Sequence, residues 1–183
     1  MNKSAKFITT TALMAAIICI LGPISLPIGP VPVSLTNLAI LLTIYLIGMK
    51  RGTIAFLVYL LIGLIGLPVF SGFSGGVEKL AGPTGGYIIG FLPMCLITGL
   101  VVDKYYKNKL LCILGMIVAT AVLYLLGTGW LAYSTGMTFG KALGVGVIPF
   151  IPVDLIKIVL CAFIGPVLKA RLGREAMTTA AQY

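Results

Sequence analysis

Two side chains of opposite charge, Asp154 and Lys157, lie three residues apart inside the last apolar run of the sequence. At this spacing they share one face of a helix. An unpaired Asp or Lys at the centre of a bilayer costs about 2.5–3.5 kcal/mol on insertion scales, so a chain that keeps both charges there needs a reason to do so. Pro152 suits the first turn of a helix, which predicts that the pair lies near that helix's N-terminal end.

The pair has two interpretations. It could be a structural salt bridge that ties the last helix to a neighbour. It could also be a ligand site, because lysine offers three N–H donors and a positive charge to a carboxylate, while aspartate accepts N–H groups. We favour the ligand site, for a guest with a carboxylate at one end and a polar ring at the other.

A second candidate segment, residues 72–87, contains six glycines. Such a loop can present backbone N–H groups to a ligand, and the N-terminus of the helix that follows adds partial positive charge. We therefore predict ligand contacts from Gly82, Gly85, Gly86 and Tyr87. A flexible connector is the alternative.

Polar and aromatic residues elsewhere are predicted to face the same region. Thr36 and Asn37 stand at the start of the second apolar run, where helix N-capping explains them nearly as well as ligand contact does. Phe70, Tyr87 and Trp130 are candidate walls of the pocket, with an interfacial aromatic belt as the alternative.

The sequence offers no catalytic or metal-binding arrangement. It has no histidine, and its four cysteines form no C-x-x-C pair, so neither a zinc nor a haem site is expected. Residues 136–142 (GMTFGKA) match a phosphate-binding loop poorly: the glycine spacing is one residue short, and Ala142 replaces the Ser or Thr that would bind magnesium. We expect neither an enzyme nor a resident cofactor.

The elements that must position these residues are membrane helices. Of the 183 residues, 60% are hydrophobic and only 9% are charged, whereas a soluble domain usually carries about 25% charged residues. A transmembrane helix needs about 20 apolar residues. The apolar runs predict a single all-α domain over residues 1–183, an integral membrane bundle of six transmembrane helices at about 7–22, 35–49, 52–70, 86–102, 110–130 and 145–168.

The basic residues orient this bundle. If the N-terminus is cytoplasmic and each run crosses once, ten basic residues fall in cytoplasmic segments and two in external ones. The cytoplasmic residues are Lys3, Lys6, Lys50, Arg51, Lys104, Lys107, Lys109, Lys169, Arg171 and Arg174, and the external ones are Lys79 and Lys141. This positive-inside bias predicts that both termini are cytoplasmic. Topology thus explains the net charge of +9 better than nucleic-acid binding does.

The external loops, near residues 22–32, 68–86 and 127–146, are apolar and rich in glycine and proline. Such loops would be unusual in water, so we expect them to pack as a lid. Non-helical backbone at membrane depth is tolerated only inside protein or around a cavity. The external half is therefore the predicted location of a ligand pocket.

Ala12 and Ala16 form a small-xxx-small pair in the first run. Such a pair lets two helices approach closely in lipid. It could serve a contact with a partner or packing inside the bundle.

Three motifs together resemble the BioY family: residues 66–70 (GLPVF), 82–87 (GPTGGY) and 152–157 (PVDLIK). The resemblance spans the whole chain. BioY proteins are biotin-specific S components of energy-coupling factor (ECF) transporters. The resemblance implies a multi-pass subunit in the cell membrane of a prokaryote, which captures biotin from outside and docks on a T component and a pair of ABC-type ATPases.

The resemblance also implies roles for individual residues. In related S components an A-x-x-x-A face on helix 1 contacts the T component, and Ala12 with Ala16 match it. Asp154 and Lys157 fall on polar positions of the binding pocket. From charge, we assign Lys157 to the valerate carboxylate of biotin and Asp154 to its ureido N–H groups.

Three other functions remain open. The protein could be an S component for another small carboxylated vitamin, which ligand identification would reveal. It could be a stand-alone ion-coupled carrier, which would transport without any ATPase. It could also be a structural membrane protein with a purely architectural Asp154–Lys157 pair, which would bind no small molecule.

Overall fold

The computed structural model describes residues 3–27 and 31–180, with the side chains of residues 5–27 and 31–171. This part of the chain is mostly helical. Its helices are α1 (Lys3–Leu21), α2 (Thr36–Leu64), α3 (Glu78–Ala81), α4 (Gly85–Tyr105), α5 (Lys109–Thr135), α6 (Phe139–Gly146) and α7 (Ile151–Ala180). Two short strands, β1 (Ser25–Leu26) and β2 (Val33–Ser34), pair antiparallel between α1 and α2.

Four of these helices, α2, α4, α5 and α7, are long and apolar enough to cross a membrane, and α1 contains a shorter apolar stretch, Ala5–Leu21. Large apolar side chains such as Leu61, Leu125 and Phe163 are exposed on the outside of the bundle. Lipid is the solvent that suits such a surface, since exposing so large an apolar area to water is unfavourable. The chain is therefore a multi-pass, all-α membrane protein.

Helix α2 reverses direction at Gly48, whose φ of 82° and ψ of 173° are not helical. A Cβ placed on Gly52 would lie 3.0 Å from Cα of Ile44. In one continuous helix, residues eight apart are separated by about 12 Å. Residues 36–47 and 49–64 thus form two segments packed side by side, and the predicted runs at 35–49 and 52–70 correspond to them.

Three predicted runs differ from the helices in their bounds. The run at 110–130 continues as α5 to Thr135, so the predicted external loop at 127–146 consists mainly of the end of α5 and of α6. The run at 52–70 ends as a helix at Leu64, because Gly66 adopts a positive φ of 105° and Pro68 follows. The run at 145–168 splits into α6, which ends at Gly146, and α7, which begins at Ile151. A turn that includes Pro149 separates them, since proline cannot donate the hydrogen bond that a continuing helix needs.

The segments between the helices pack together at one end of the bundle. Gly72 N–H donates to the carbonyl of Pro23 at 3.1 Å, which joins the loop after α2 to the loop after α1. Val31 and Phe70, one from each loop, are buried. These connections close one end of the bundle, above the space between α2, α4, α5 and α7.

Candidate ligand-binding site

A cavity opens beneath these loops, between α2, α4, α5 and α7. The space between its walls is about 630 Å³, including the part that opens to the outside. The lining residues are Val31, Pro32, Ser34, Thr36, Asn37, Tyr59, Phe70, Ser71, Thr84, Tyr87, Ile88, Phe91, Leu123, Tyr124, Gly146, Phe150, Asp154 and Lys157.

The charged pair predicted from the sequence lies in this lining, in the first two turns of α7. Lys157 Nζ donates to Asp154 Oδ1 at 2.8 Å, and the two residues are each only 6% exposed. The pair is the only ion pair among the side chains that the structure describes. Because both residues belong to α7, the bond between them does not itself tie α7 to a neighbouring helix.

Two further groups join the pair to other elements. Tyr124 of α5 donates its hydroxyl to Asp154 Oδ2 at 2.7 Å, and Lys157 Nζ donates to the carbonyl oxygen of Ser34 in β2 at 2.8 Å. An ammonium group has three hydrogens, and a carboxylate has about four lone-pair sites. Both groups therefore retain capacity for a guest, although the network is already bonded without one.

Asn37 presents a different case. Its side-chain oxygen and nitrogen are buried in the cavity wall, and neither has a hydrogen-bond partner among the described residues. Buried polar groups are normally hydrogen-bonded, so such an exception needs an explanation. A primary amide can donate and accept at once, which suits a ligand that also does both.

Thr36 has a structural partner. Its hydroxyl donates to the carbonyl of Gly22 at 3.1 Å and accepts from Ser34 Oγ at 3.0 Å. It therefore holds the start of α2 against the end of α1 and the β1–β2 hairpin, at the edge of the cavity. The residue before α2, Leu35, gives no side-chain cap, and neither Thr36 nor Asn37 bonds as an N-cap.

Aromatic rings form the apolar wall. Tyr59 and Phe70 pack edge to face with their ring centroids 5.6 Å apart. Tyr87 also lines the cavity and donates its hydroxyl to the carbonyl of Gly146 at 2.9 Å, which fixes the end of α6 over the site. Such rings offer a flat apolar surface to a guest ring.

Four residues that we predicted as ligand contacts lie outside this lining: Gly82, Gly85, Gly86 and Trp130. Trp130 Nε1–H donates to the carbonyl of Gly82 at 2.9 Å, which anchors the loop before α4 to α5. Gly85 packs against the backbone of Leu80, and Gly86 packs against the Trp130 side chain too closely for a Cβ. These residues hold the start of α4 in place, beside Tyr87 and Thr84, which do line the cavity.

Ala12 and Ala16 do not line the cavity and lie on the outward face of α1. Both are exposed, and so are the larger apolar residues Ile8, Leu13 and Ile20 of the same helix. The small pair therefore forms a shallow strip on the surface of the described bundle.

Sequence reasoning missed Tyr124, Tyr59, Ser34, Phe91 and Phe150 as lining residues. Tyr124 alone carried a usable signal. It is a hydroxyl in the most apolar of the predicted runs, and a buried tyrosine hydroxyl usually finds a hydrogen-bond partner. Ser34 contributes a backbone carbonyl, which no residue type could have revealed.

Comparisons with known proteins find a matching family profile, similar sequences and a similar structure. The BioY family profile matches residues 1–174. The chain is 40% identical to the probable biotin transporter BioY of Pyrococcus horikoshii, over 84% of this chain and 90% of that one. It is also 40% identical to the biotin transporter BioY of Thermotoga maritima, over 86% and 92%. A crystal structure of the S-component for biotin from an ECF-type ABC transporter superposes with a TM-score of 0.85 at 32% identity, covering 93% of this chain and 95% of that one.

Proposed function

Since this chain belongs to the BioY family, we propose that it is the substrate-binding S component of an ATP-driven ECF importer and that its substrate is biotin. Its relatives are named as transporters rather than enzymes. In this role the protein needs no resident cofactor and no nucleotide site of its own, because a pair of ABC-type ATPases supplies the energy through a T component.

The observation that carries the proposal is the pairing of polar groups with aromatic rings in one buried cavity. Lys157 offers its remaining N–H to the valerate carboxylate, and Asp154 offers its remaining lone pairs to the ureido N–H groups. Asn37, whose amide has no hydrogen-bond partner among the described residues, lines the same cavity. Burying the guest's ring against Tyr59 and Phe70 adds about 2–4 kcal/mol at ~25 cal/mol per Å².

The proposed topology has six crossings, in which the two segments of α2 count separately. Both termini then lie in the cytoplasm, and the cavity faces outside. The distribution of lysine and arginine supports this orientation. Apart from Lys157 in the ligand cavity, the described basic residues stand mainly where α1 begins, where α2 reverses, where α4 ends and toward the end of α7. We place the protein in the cell membrane of a prokaryote.

The exposed strip of Ala12 and Ala16 is the proposed contact with the T component. Small residues let a partner helix approach the backbone of α1 closely. The strip does not line the ligand cavity, so docking and substrate capture use separate surfaces.

The decisive experiment identifies the ligand. We expect mass spectrometry of the purified, undenatured protein to detect retained biotin, and titration of the emptied protein to give tighter binding of biotin than of lipoate or pantothenate. Tighter binding of another carboxylated vitamin would make the protein an S component of different specificity. Failure to bind any of them would favour an architectural role for the Asp154–Lys157 pair.

A second measurement separates the importer from a stand-alone carrier. Vesicles that contain this protein alone should bind biotin without accumulating it, whereas vesicles with the T component and both ATPases should accumulate it when ATP is supplied. Accumulation driven by an ion gradient without ATPases would contradict the proposal.

A further inference from the structure

A second cavity lies at the end of the bundle opposite the ligand cavity. The empty space between its walls is about 840 Å³, including the part that is open to the surroundings. On α7, its lining residue Lys169 follows Asp154 by fifteen positions, or about 22 Å of helix. The lining residues are Phe7, Leu46, Ile47, Gly48, Met49, Lys50, Arg51, Asp103 and Lys169.

The lining of this second cavity carries excess positive charge. Lys50, Arg51 and Lys169 face one carboxylate, that of Asp103. None of the three cations is in an ion pair with a described side chain. Asp103 itself accepts the backbone N–H of Met49 at 3.0 Å, where α2 reverses.

Aromatic rings hold two of these cations in place. The Arg51 guanidinium lies 5.1 Å from the centroid of the Phe7 ring, and Lys169 Nζ lies 5.0 Å from that of Tyr106. Cation–π contacts of this kind restrict long side chains without neutralising their charge. The basic groups from α2 and α7 are therefore arranged around the cavity before any anion arrives.

We propose that this second cavity binds the phosphate of an anionic phospholipid headgroup. A guanidinium group matches phosphate oxygens with two parallel hydrogen bonds, and lysine adds a point charge. The half-buried apolar residues Leu46 and Ile47 stand beside the cations, which suits an amphiphile better than a soluble anion. Basic pockets between membrane helices on the cytoplasmic side bind such headgroups.

The site goes beyond the proposed biotin function and does not depend on it. Only the leaflet rests on the proposed orientation, which puts this end of the molecule in the cytoplasmic leaflet, where anionic lipids are common.

The test is a lipid titration of delipidated protein in detergent, followed by native mass spectrometry. Phosphatidylglycerol should bind at one per protein and more tightly than phosphatidylcholine with the same acyl chains. The double variant Arg51→Gln with Lys169→Gln should weaken phosphatidylglycerol binding by about tenfold or more, because it removes charge-assisted hydrogen bonds to the phosphate.

The matched control is Lys104→Gln with Lys109→Gln, which removes the same charge from exposed positions outside the cavity. It should change binding by less than about twofold. Asp103→Asn keeps an oxygen for Met49 N–H but removes the negative charge, so it should strengthen binding. Equal losses in the two double variants, or weaker binding by Asp103→Asn, would overturn the proposal.

Two further measurements distinguish a lipid from free phosphate and from a protein partner. Inorganic phosphate that displaces phosphatidylglycerol at equal concentration would make this a site for free phosphate and overturn the lipid assignment. Unchanged lipid binding with lost T-component assembly in the Arg51/Lys169 variant would assign the cavity to a protein partner. If that variant does not fold, Lys169→Gln alone, with an expected loss of at least about fivefold, decides the matter.

Discussion

Asn37 differs from the charged pair of the same cavity in how its side chain is bonded. Its two polar atoms are buried and have no hydrogen-bond partner among the described residues, whereas Asp154 and Lys157 are linked to each other, to Tyr124 and to Ser34. Leaving a buried amide unpaired costs about 1–3 kcal/mol. A ligand that supplies both partners would recover that free energy. Replacing Asn37 with an apolar residue should therefore stabilise the ligand-free protein but weaken ligand binding.

We therefore predict that Asn37→Leu leaves the ligand-free protein as stable as the parent or more stable, while biotin affinity falls about tenfold or more. Thermal unfolding without ligand and equilibrium binding check the two parts. Thr98→Val is the matched control, because its hydroxyl is also buried and unpartnered among the described residues but does not line the cavity. It should not change biotin affinity, and a loss of stability in Asn37→Leu would contradict the predicted role.

The role of Lys157 is tested by comparing how much affinity two ligands, biotin and biotin amide, lose in the same variant. Lys157→Ala leaves the Asp154 carboxylate buried without its cation, which destabilises a protein by about 3–5 kcal/mol and weakens any ligand indirectly. If the ammonium group binds the valerate carboxylate, biotin should lose affinity by at least about tenfold more than biotin amide does. Isothermal titration with both compounds gives this ratio.

Tyr124→Phe is the control for that experiment. It breaks the bond to Asp154 Oδ2 but keeps the ammonium group. Biotin and its amide should then lose affinity equally. The same equal loss in Lys157→Ala would show that Lys157 does not bind the carboxylate.

At the scale of elements, the reversal of α2 determines whether the cavity forms. Thr36 and Tyr59 both line it, although about 35 Å would separate them along one straight helix. The break at Gly48 brings them together, since the chain turns back at a backbone conformation that is accessible almost only to glycine. The loop after α2 and the segment that contains the β1–β2 hairpin can then close over a single space.

Gly48→Ala should accordingly destabilise the protein by about 1–3 kcal/mol, since the strained backbone conformation persists and the new Cβ would lie 2.9 Å from Asp103 Oδ1. Thermal unfolding in detergent measures the effect. Gly129→Ala in α5 is the control, because no described atom outside its own stretch of helix lies within 4 Å of its Cβ position. Alanine there should be neutral or stabilise by up to about 1 kcal/mol, and an equal loss in both variants would contradict the role of the reversal.

At the scale of the whole molecule, the surfaces proposed for ligand capture and for partner docking are separate. The cavity lies at one end among four helices, and the small strip of α1 faces outward along the side. A transport subunit benefits from this separation because the partner can dock without touching the ligand.

The double variant Ala12→Leu with Ala16→Leu should therefore reduce co-purification with the T component by at least about fivefold, because the added side chains keep a partner helix away from the α1 backbone. Biotin affinity should stay within about twofold of the parent, since neither residue lines the cavity. Ala121→Leu, an exposed position on α5, is the control and should leave assembly intact. Intact assembly in the α1 variant would exclude this strip as the docking surface.

The sequence by itself determined the class of the protein. A composition with few charges allows only a lipid-facing surface, and the periodic apolar runs are local properties of the chain. The resemblance to the BioY family, carried by three short motifs, is confirmed by the family match. The Asp154–Lys157 pair was also predictable, because its geometry depends on spacing within one helix.

Only the tertiary structure decided which distant residues meet. Tyr124 and Ser34 reach the charged pair from 30 and 123 positions away, and no local pattern encodes such contacts. The same holds for Gly82, Gly85, Gly86 and Trp130, whose residue types suit a ligand loop and a packed helix start equally well. In the folded protein these residues pack at the start of α4. Which segments pack there depends on side-chain shape and on how closely backbones approach across helices, and both are properties of the assembled bundle rather than of any one stretch of chain.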